Sequence, residues 1–509
     1  METLSNVKAL VQRRSGLFPA LVYFAALLFW VWIFFNAPYM DDDWFWGTQV
    51  GMKAFLTGNT NSRYAGNLVI ILLTRSRLFK TLFCGIVAWL LPWSLSRMTS
   101  ELDENNKLIL FCFANLSIFL ARIQVWEETF GWLASFANYN TSALCMVWIY
   151  TAIKRSFAQP ESSTGKKLKL FILTFVSMLF VENLSIYFFG IAFVGLLLAV
   201  YLKRNRGNMI AMFAAAVCGA LLMFTGSGNT ALYESGKVGV REITISGKSF
   251  PEMLRIIAES IHFHLPYTYE INGFLCLTVL LAATAMLWLC LENKKLKLVL
   301  SAGNFLLAAL EIAYMLELSF PEFFMTAEGN TYISQLLILY VSIEMLLLVV
   351  LGKDKIFLLN QCFLWLSTFL VILPLTVTRH SGDRLLLASI VLAAMFGAET
   401  WAYMASRNLV GKKTDLCVRW LSLAVCLVFM LYTANVYRVI GRIDRQHVQI
   451  INESKLSGAE EIKLPEYMPL HCKYLYNWNS SGDAFYDKYM KRFNEIPQEV
   501  KVEYYSLID

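Results

Sequence analysis

The stretch LFPALVYFAALLFWVWIFFNAPYMDDDWFW, residues 17–46, joins a long apolar run directly to three adjacent aspartates. The apolar part extends from about Leu17 to Phe35, which is long enough to cross the hydrocarbon core of a bilayer. It is longer than the apolar core of a signal peptide, and no small-residue cleavage site follows it. We therefore expect a retained membrane span, with the three aspartates placed where that span ends.

The rest of the chain has the same apolar character. Of its 509 residues, 57% are hydrophobic and 16% are charged, whereas soluble globular proteins carry about 25% charged residues. We predict an all-α polytopic membrane protein with about 13 transmembrane helices. The apolar runs lie near 17–35, 78–95, 107–121, 141–153, 168–182, 184–201, 209–225, 271–291, 298–316, 331–351, 356–376, 385–403 and 416–434.

Short basic connectors alternate with longer connectors that are rich in aromatic, acidic and asparagine residues. By the positive-inside rule, the basic connectors and the N-terminus are expected to be cytoplasmic. An odd number of spans then places both the aspartates and the C-terminal tail outside. The formal net charge of +7 resides largely in these connectors, so no nucleic-acid partner is expected. The basic connectors lie at 154–169, 203–206, 294–297, 353–355 and 407–413.

Two regions are expected, a transmembrane domain at 1–436 and a small extracytoplasmic α/β domain at 437–509. The first outer loop, 36–77, contains the acidic motif and an apolar segment at 68–73 that is too short to span. That segment is expected to form an interfacial helix, the alternative being an extension of the second span. In the tail, EEIKLP is typical of a strand, and SGDAFYDKYMKRF is typical of a helix capped near Ser481 or Asp483.

Acidic residues are predicted at several span ends on the outer side. They are Asp41, Asp42, Asp43, Glu127, Glu128 and Glu182. A carboxylate held at such a boundary is partly desolvated, which raises its pKa and suits it to accept a proton. The alternative is that these residues are solvated loop ends. The three aspartates, next to Trp44 and Trp46, are the strongest candidates.

Basic residues are predicted on the same side, at Arg63, Arg122, Arg379 and Arg384. An arginine at the outer end of a span can hold a lipid phosphate through two hydrogen bonds, or it can simply extend its charge to the interface. Together with the carboxylates, these residues favour transfer of a sugar from a polyprenyl-phosphate donor. Arginine would hold the phosphate, and an aspartate would deprotonate the acceptor hydroxyl.

Metal binding has weaker sequence support. His262 and His264 form an HxH pair with no third ligand nearby in the sequence, and the three aspartates offer oxygen ligands suited to Mg²⁺ or Mn²⁺. No cofactor is required by the proposed chemistry. Inside the predicted spans, Asn304, Glu311 and Glu344 are either functional or paired within the bundle.

Several short motifs resemble those of a bacterial branch of the GT-C class of membrane glycosyltransferases. They are MDDDWFW, ETFGWLASFANYN and FVENLSIYFF, and the ending YNWNSSGDAFYDKY is similar to the tails of that branch. The resemblance extends mainly over the first 200 residues and the tail. It implies a plasma-membrane enzyme that uses a polyprenyl-phosphate sugar to decorate a cell-surface polysaccharide, teichoic acid or lipid-linked glycan.

The resemblance also implies roles for individual residues. One of Asp41, Asp42 or Asp43 would be the base, and Glu127 or Glu128 would assist it or orient the acceptor. The sugar pocket would contain Trp132, Asn138 and Tyr139, and the pair Glu182 and Asn183 stands where the branch has a Glu-Asn pair. The implied partners are the lipid donor, the glycan acceptor, membrane lipids, a donor-synthesising glycosyltransferase and a flippase.

Other functions share some of these features. A polysaccharide polymerase would also have aromatic-rich outer loops, but it would carry its chemistry in two large loops with arginines. A flippase or transporter of lipid-linked oligosaccharides would place charged residues along a central path, where Glu311 and Glu344 are the candidates. A scaffold without catalytic activity is the third alternative.

Overall fold

The computed structural model describes residues 2–99, 102–158, 163–226, 230, 235, 237–238, 241–316, 327–378, 382–477 and 484–506. About 80% of the structure is helical, which agrees with the predicted all-α polytopic membrane protein. The longer helices are Glu2–Asn36, Arg77–Ser96, Glu104–Phe119, Thr141–Ala158, Thr164–Ser177, Glu182–Tyr201, Arg206–Thr225, Phe250–Glu270, Gly273–Cys290, Lys294–Met315, Ala327–Leu351, Lys355–Leu370, Leu387–Ser406 and Lys412–Ser457.

Shorter elements connect these helices and build the loops. The short α-helices are Asp43–Gly47, Gln49–Leu56, Tyr64–Arg75, Ile123–Thr129, Leu133–Ser135, Pro469–Cys472 and Ala484–Phe493. A π-helical turn spans Phe136–Asn140, and 3₁₀ turns span Leu373–Val377 and Asp383–Leu386. Strands Lys237–Val238 and Arg241–Glu242 pair antiparallel, and strands Glu461–Pro465 and Lys501–Tyr505 pair parallel.

Each of the 13 predicted apolar runs overlaps a helix, but not every helix is a complete span. Within the described ranges, ten helices are long and apolar enough to cross a membrane. The runs at 107–121, 141–153 and 168–182 lie on helices of 16, 18 and 14 residues that do not meet this measure alone. Helix Glu104–Phe119 is followed, after a 96° bend, by Ile123–Thr129, and counting this pair as one span raises the number to 11.

The distribution of side chains on these helices is that of a protein surrounded by lipid. One face of helix Lys294–Met315 is buried, at the three- to four-residue spacing of Leu300, Asn304, Leu307 and Glu311. On the opposite face, Val299 and Leu306 are more than half exposed. A helix with polar groups inside and bare apolar side chains outside is stable where the surroundings are hydrocarbon.

The end of the first helix is held in place by two cations. Lys80 Nζ donates to the carbonyl oxygen of Ala37 at 2.5 Å, and Arg445 donates to Asn36 Oδ1 at 3.2 Å. The last carbonyl groups of a helix have no partner within the helix, and cations near them are favourable. These two contacts therefore anchor the position at which the acidic loop begins.

The segment after the acidic loop forms its own helix, Tyr64–Arg75, which is too short to cross a membrane. Ser76 has an extended backbone and separates it from the next helix, so it is not a continuation of the second span. Leu68 and Leu72 are exposed, whereas Ile70 and Leu73 are buried.

The C-terminal region packs on the first outer loop. Helix Lys412–Ser457 continues through the predicted boundary at 436/437 and ends at Gly458, whose φ of +67° is of the type that commonly terminates helices. The predicted strand forms at Glu461–Pro465, and the predicted helix begins at Ala484. Its cap candidates, Ser481 and Asp483, lie outside the described residues. Trp44 packs in one apolar cluster with Leu464 and Met490.

Candidate functional site

The three aspartates of the first outer loop have different partners. Asp43 is completely buried and accepts hydrogen bonds from the backbone N–H groups of Met40, Leu133 and Ala134, at 3.0, 3.4 and 2.8 Å. Its carboxylate thereby ties the loop to the start of helix Leu133–Ser135. Burial, the largest effect, raises the pKa of Asp43 well above its usual range, and the neighbouring charge of Asp42 adds to this. These contacts make Asp43 a positioning residue.

Asp42 is the aspartate whose environment suits proton transfer. Its Oδ1 accepts a hydrogen bond from Trp132 Nε1 at 2.8 Å. Burial, followed by the charge of Asp41, raises the pKa of Asp42 to about 7, against the opposing effects of Trp132, Arg384 and Trp46. A carboxylate with a pKa near 7 is a stronger base than a solvated one, and near neutral pH a large part of it is ionised.

Asp41 lies at the junction between the first loop and the C-terminal tail. It is buried, and its φ of +51° is unusual for a residue other than glycine. Its Oδ2 accepts a hydrogen bond from Asn477 Nδ2 at 2.7 Å. The three carboxylates therefore bond to separate donors and do not converge on one point.

Arg384 lies next to the acidic loop and is held by Glu128. Glu128 Oε2 accepts from the backbone N–H of Arg384 at 3.1 Å and from its guanidinium at 3.4 Å. The guanidinium carbon is 4.8 Å from the centre of the Trp132 ring and 5.8 Å from that of Tyr139. The charge of Arg384 also acts on Asp42. Trp132 thus contacts both the candidate base and a candidate phosphate ligand.

Gly382 makes room for this arrangement. Its φ is +106°, and a Cβ atom at this position would lie 2.1 Å from Glu128 Oε2. A larger residue would therefore strain the backbone and displace the carboxylate that holds Arg384.

A second arginine and glutamate pair also lies beside Tyr139. Arg63 donates to Glu182 Oε2 from Nε at 2.9 Å and from its terminal nitrogen at 2.8 Å. Its guanidinium carbon is 5.7 Å from the centre of the Tyr139 ring. Two guanidinium groups, each balanced by one glutamate, therefore flank a single tyrosine.

Asn138 and Tyr139 are presented by the π-helical turn Phe136–Asn140. Such turns are rare and occur frequently at functional sites. Asn138 Nδ2 donates to the carbonyl oxygen of Ala134 at 2.8 Å, while its buried Oδ1 has no hydrogen-bond partner in the described part of the chain. Gly66 lies directly against this oxygen, since a Cβ atom at Gly66 would come within 1.9 Å of it. The Asn138 oxygen is therefore a buried acceptor with no hydrogen-bond donor among the described residues.

The remaining acidic residues form a second group beside Arg384. Glu127 is half-buried and lies close enough to Glu128 and Asp383 for their charges to interact. Asp383 Oδ1 accepts a hydrogen bond from the hydroxyl of Tyr267 at 2.9 Å. Asp383 and Tyr267 were not among the residues suggested by the sequence, because nothing in their local pattern distinguishes them from ordinary loop residues.

Three other predicted site residues lie at the edge of this arrangement or cannot be placed. Arg122 is exposed at the start of helix Ile123–Thr129, its backbone N–H donates to Ile271, and its side chain is hydrogen-bonded to Tyr267. Asn183 is buried and donates to the carbonyl oxygen of Val371 at 3.3 Å. Arg379 lies outside the described residues.

The candidate metal ligands do not form a site in the described ranges, where no group of three or more His, Cys, Asp or Glu side chains converges. His262 and His264 lie two residues apart on helix Phe250–Glu270, so one is exposed and the other buried. The aspartates use their oxygens on separate N–H donors, as described above. This donor set does not fit Mg²⁺ or Mn²⁺.

The polar residues inside the spans are buried. Asn304 Nδ2 donates to both carboxylate oxygens of Glu344, at 3.0 and 3.1 Å. Glu311 is 2% exposed and lies against Gly273. Glu344 is thus paired within the helix bundle, which was one of the two expectations for it.

The C-terminal tail contributes two side chains that the sequence did not suggest. The ring of Tyr476 stacks on Trp132 with centres 4.3 Å apart and planes 12° apart, and Asn477 bonds to Asp41. The only sequence signal was that these residues begin the YNWNSSGDAFYDKY stretch. Comparison with known proteins gives no significant match, whether to a family model, to a curated protein or to a solved structure.

Proposed function

We propose that this chain is a membrane glycosyltransferase of GT-C type, which transfers a sugar from a polyprenyl-phosphate donor to a hydroxyl acceptor. The observation that carries the proposal is the position of Trp132 between a carboxylate and a guanidinium. Its Nε1 donates to Asp42, and Arg384 lies 4.8 Å from its ring. This reaction requires a base and a phosphate ligand, and candidates for both lie against this one aromatic residue.

In the proposed reaction, the oxygen of the acceptor hydroxyl bonds to the anomeric carbon of the sugar. Asp42 accepts the proton that this hydroxyl loses. The bond between that carbon and the phosphate oxygen breaks, and the lipid phosphate leaves with the bonding electrons. Arg384 and Arg63, whose guanidinium groups both lie beside Tyr139, hold this phosphate. Glu128 and Glu182 keep the two guanidinium groups in place before the donor binds.

The other residues have supporting roles in this proposal. Trp132 and Tyr139 position the two guanidinium groups beside the donor, and Asn138 Oδ1 accepts a hydrogen bond from a sugar hydroxyl. Glu127 orients the acceptor. Asp43 fixes the loop and takes no part in proton transfer, because its carboxylate bonds to three backbone N–H groups.

The topology and location are part of the same proposal. About 13 spans cross a bacterial plasma membrane, with the N-terminus in the cytoplasm and residues 437–509 forming an extracytoplasmic domain. The acceptor is a cell-envelope polysaccharide, a teichoic acid or a lipid-linked glycan. A donor-synthesising glycosyltransferase and a flippase would supply the lipid-linked sugar to the outer face.

The test uses purified full-length protein in lipid nanodiscs. The probe is a set of radiolabelled polyprenyl-phosphate hexoses with a membrane glycan extract as acceptor, and the readout is labelled glycan. Asp42→Asn should reduce transfer at least a hundredfold, the lower end of the usual effect of a general base. The matched control is Asp487→Asn, which alters a half-buried aspartate of the tail that pairs with Lys491. Equal transfer by Asp42→Asn and wild type would refute the proposal.

A cellular measurement separates the alternatives. In bacteria that depend on this protein, the Asp42→Asn variant should lose one sugar branch while the polymer backbone persists. Loss of the backbone itself would indicate a polymerase. Accumulation of a lipid-linked oligosaccharide on the inner leaflet would indicate a flippase.

A further inference from the structure

The C-terminal segment Tyr474–Asn477 touches the acidic loop and the segment behind it. Tyr476 stacks on Trp132, and Asn477 Nδ2 donates to Asp41 Oδ2 at 2.7 Å. The backbone of Tyr474 comes so close to Gly131 that a Cβ atom there would lie 2.1 Å from the Tyr474 oxygen. This segment therefore packs into the candidate site and does not merely cover it.

The contact between Asp41 and Asn477 joins two residues in an unusual backbone conformation. Asp41 has a φ of +51° and Asn477 a φ of +41°. Left-handed conformations of residues other than glycine are disfavoured and persist where surrounding contacts enforce them, often at functional sites. Asparagine and aspartate tolerate this region better than other residues, which fits their presence on both sides of the contact.

We infer that Asn477 is a positioning residue that controls the basicity of Asp42 through Asp41. Its amide N–H stabilises the ionised form of Asp41, and this neighbouring negative charge makes Asp42 hold a proton more tightly. The inference rests on the proposed function in one respect, because it takes Asp42 to be the general base. The C-terminal tail would thereby be part of the catalytic site.

Several charged and polar groups face Asp42. Asp41 acts on it from its own loop through its negative charge. The charge of Arg384 and the hydrogen bonds of Trp132 and Trp46 favour the ionised form of Asp42. Asn477 itself is neutral, so it acts on Asp42 through the charge state of Asp41. A hydrogen bond to a carboxylate favours its ionised form, and a like charge nearby disfavours ionisation.

The experiment measures protonation of Asp42 without requiring catalysis. Carbodiimides modify protonated carboxyl groups, so labelling of Asp42 should fall as the pH rises through its midpoint. Labelling is quantified by mass spectrometry on full-length protein in nanodiscs, for wild type, Asn477→Leu, Asn477→Gln, Asp41→Asn and the double variant Asp41→Asn/Asn477→Leu. The control is Asn494→Ala, a tail asparagine whose side chain bonds to the backbone of Met490.

Asn477→Leu should lower the Asp42 midpoint by about one pH unit, the scale at which neighbouring carboxyl groups are coupled. Asn477→Gln, which keeps an amide donor, should restore most of the midpoint, and Asn494→Ala should leave it unchanged. Asp41→Asn should also lower the midpoint, and Asn477→Leu should have no further effect in that background. An unchanged midpoint in Asn477→Leu, or an equal shift with and without the Asp41 charge, would overturn the inference.

The outcome is separable from that of the proposed function. If Asn477→Leu shifts the midpoint but Asp42→Asn retains full transfer, the link between Asn477 and Asp42 stands and the assignment of Asp42 as the base fails. If Asn477→Leu leaves the midpoint unaffected while Asp42→Asn abolishes transfer, the assignment of Asp42 as the base stands and the link between Asn477 and Asp42 fails.

Discussion

Trp132 donates its indole N–H to Asp42 at 2.8 Å, across 90 residues of sequence. The same indole ring stacks on Tyr476 and lies 4.8 Å from the guanidinium carbon of Arg384. The loop 36–77, the segment that follows helix Ile123–Thr129, the loop before helix Leu387–Ser406 and the C-terminal tail therefore meet at one side chain.

Removal of the Trp132 indole N–H should destabilise the ionised form of Asp42. Trp132→Phe keeps an aromatic ring against Tyr476 but loses the donor to Asp42. A lost hydrogen bond to the charged form raises the pKa, so the midpoint of the rise in transfer rate with pH should move up from about 7 by roughly one unit. The pH profile of transfer checks this. Trp148→Phe, which removes an indole donor to Ser94, should leave the midpoint unchanged.

The raised pKa of Asp42 also predicts how stability depends on pH. Its pKa is about 7 in the folded protein, but about 3.9 in an unfolded chain. The folded state therefore holds the proton more tightly, and wild type loses stability as the pH rises from about 4 to 7. Asp42→Asn does not titrate there, so its thermal midpoint relative to wild type should be higher at pH 8 than at pH 5. Thermal unfolding in detergent at both pH values tests this sign, and a constant difference would contradict it.

The tight contact between Gly382 and Glu128 predicts a large effect of adding one methyl group. Gly382→Ala would place Cβ 2.1 Å from Glu128 Oε2, at a φ of +106°. It should lower both thermal stability and donor binding, because Glu128 must move away from Arg384. Gly458→Ala is the matched control, since Gly458 also has a positive φ but no atom within 4 Å of the added Cβ. That variant should lose about 1 kcal/mol of stability and keep donor binding.

The guanidinium of Arg384 presents paired N–H donors, so we expect that lysine cannot replace it. Arg384→Lys keeps the positive charge but loses the paired donors that match a phosphate. We expect about a tenfold rise in KM for the polyprenyl-phosphate donor, with a smaller change in kcat. Arg77→Lys is the control, because Arg77 pairs with Asp444 away from Trp132. An unchanged KM in Arg384→Lys would argue against a phosphate ligand at this position.

Much of the fold was predictable because membrane spans are local features. A run of about 20 apolar residues must form a helix in hydrocarbon, whatever follows it in the chain. This is why all 13 predicted runs overlap helices, including the three whose helices fall short of a full span. The separate helix Tyr64–Arg75 was predictable for the same reason, since its apolar segment is too short to cross.

The division of roles among the three aspartates was not predictable from the sequence. Asp41, Asp42 and Asp43 are identical in type and adjacent, so no local pattern distinguishes them. Their partners are Asn477, Trp132 and the backbone of Leu133 and Ala134, all at least 90 residues away. Burial and partners determine the pKa of a carboxyl group, and both arise only when distant segments pack together.

The sequence by itself determined the apolar helices, the acidic loop after the first one and the residue types available for chemistry. Only the tertiary structure decided which carboxylate faces Trp132, which arginines flank Tyr139, and that Tyr476 and Asn477 belong to the site. The physical reason is that the two kinds of property depend on contacts at different separations along the chain. Helix formation in an apolar environment depends on neighbouring residues, whereas the protonation and orientation of a side chain depend on whichever groups the folded chain places within a few ångströms of it.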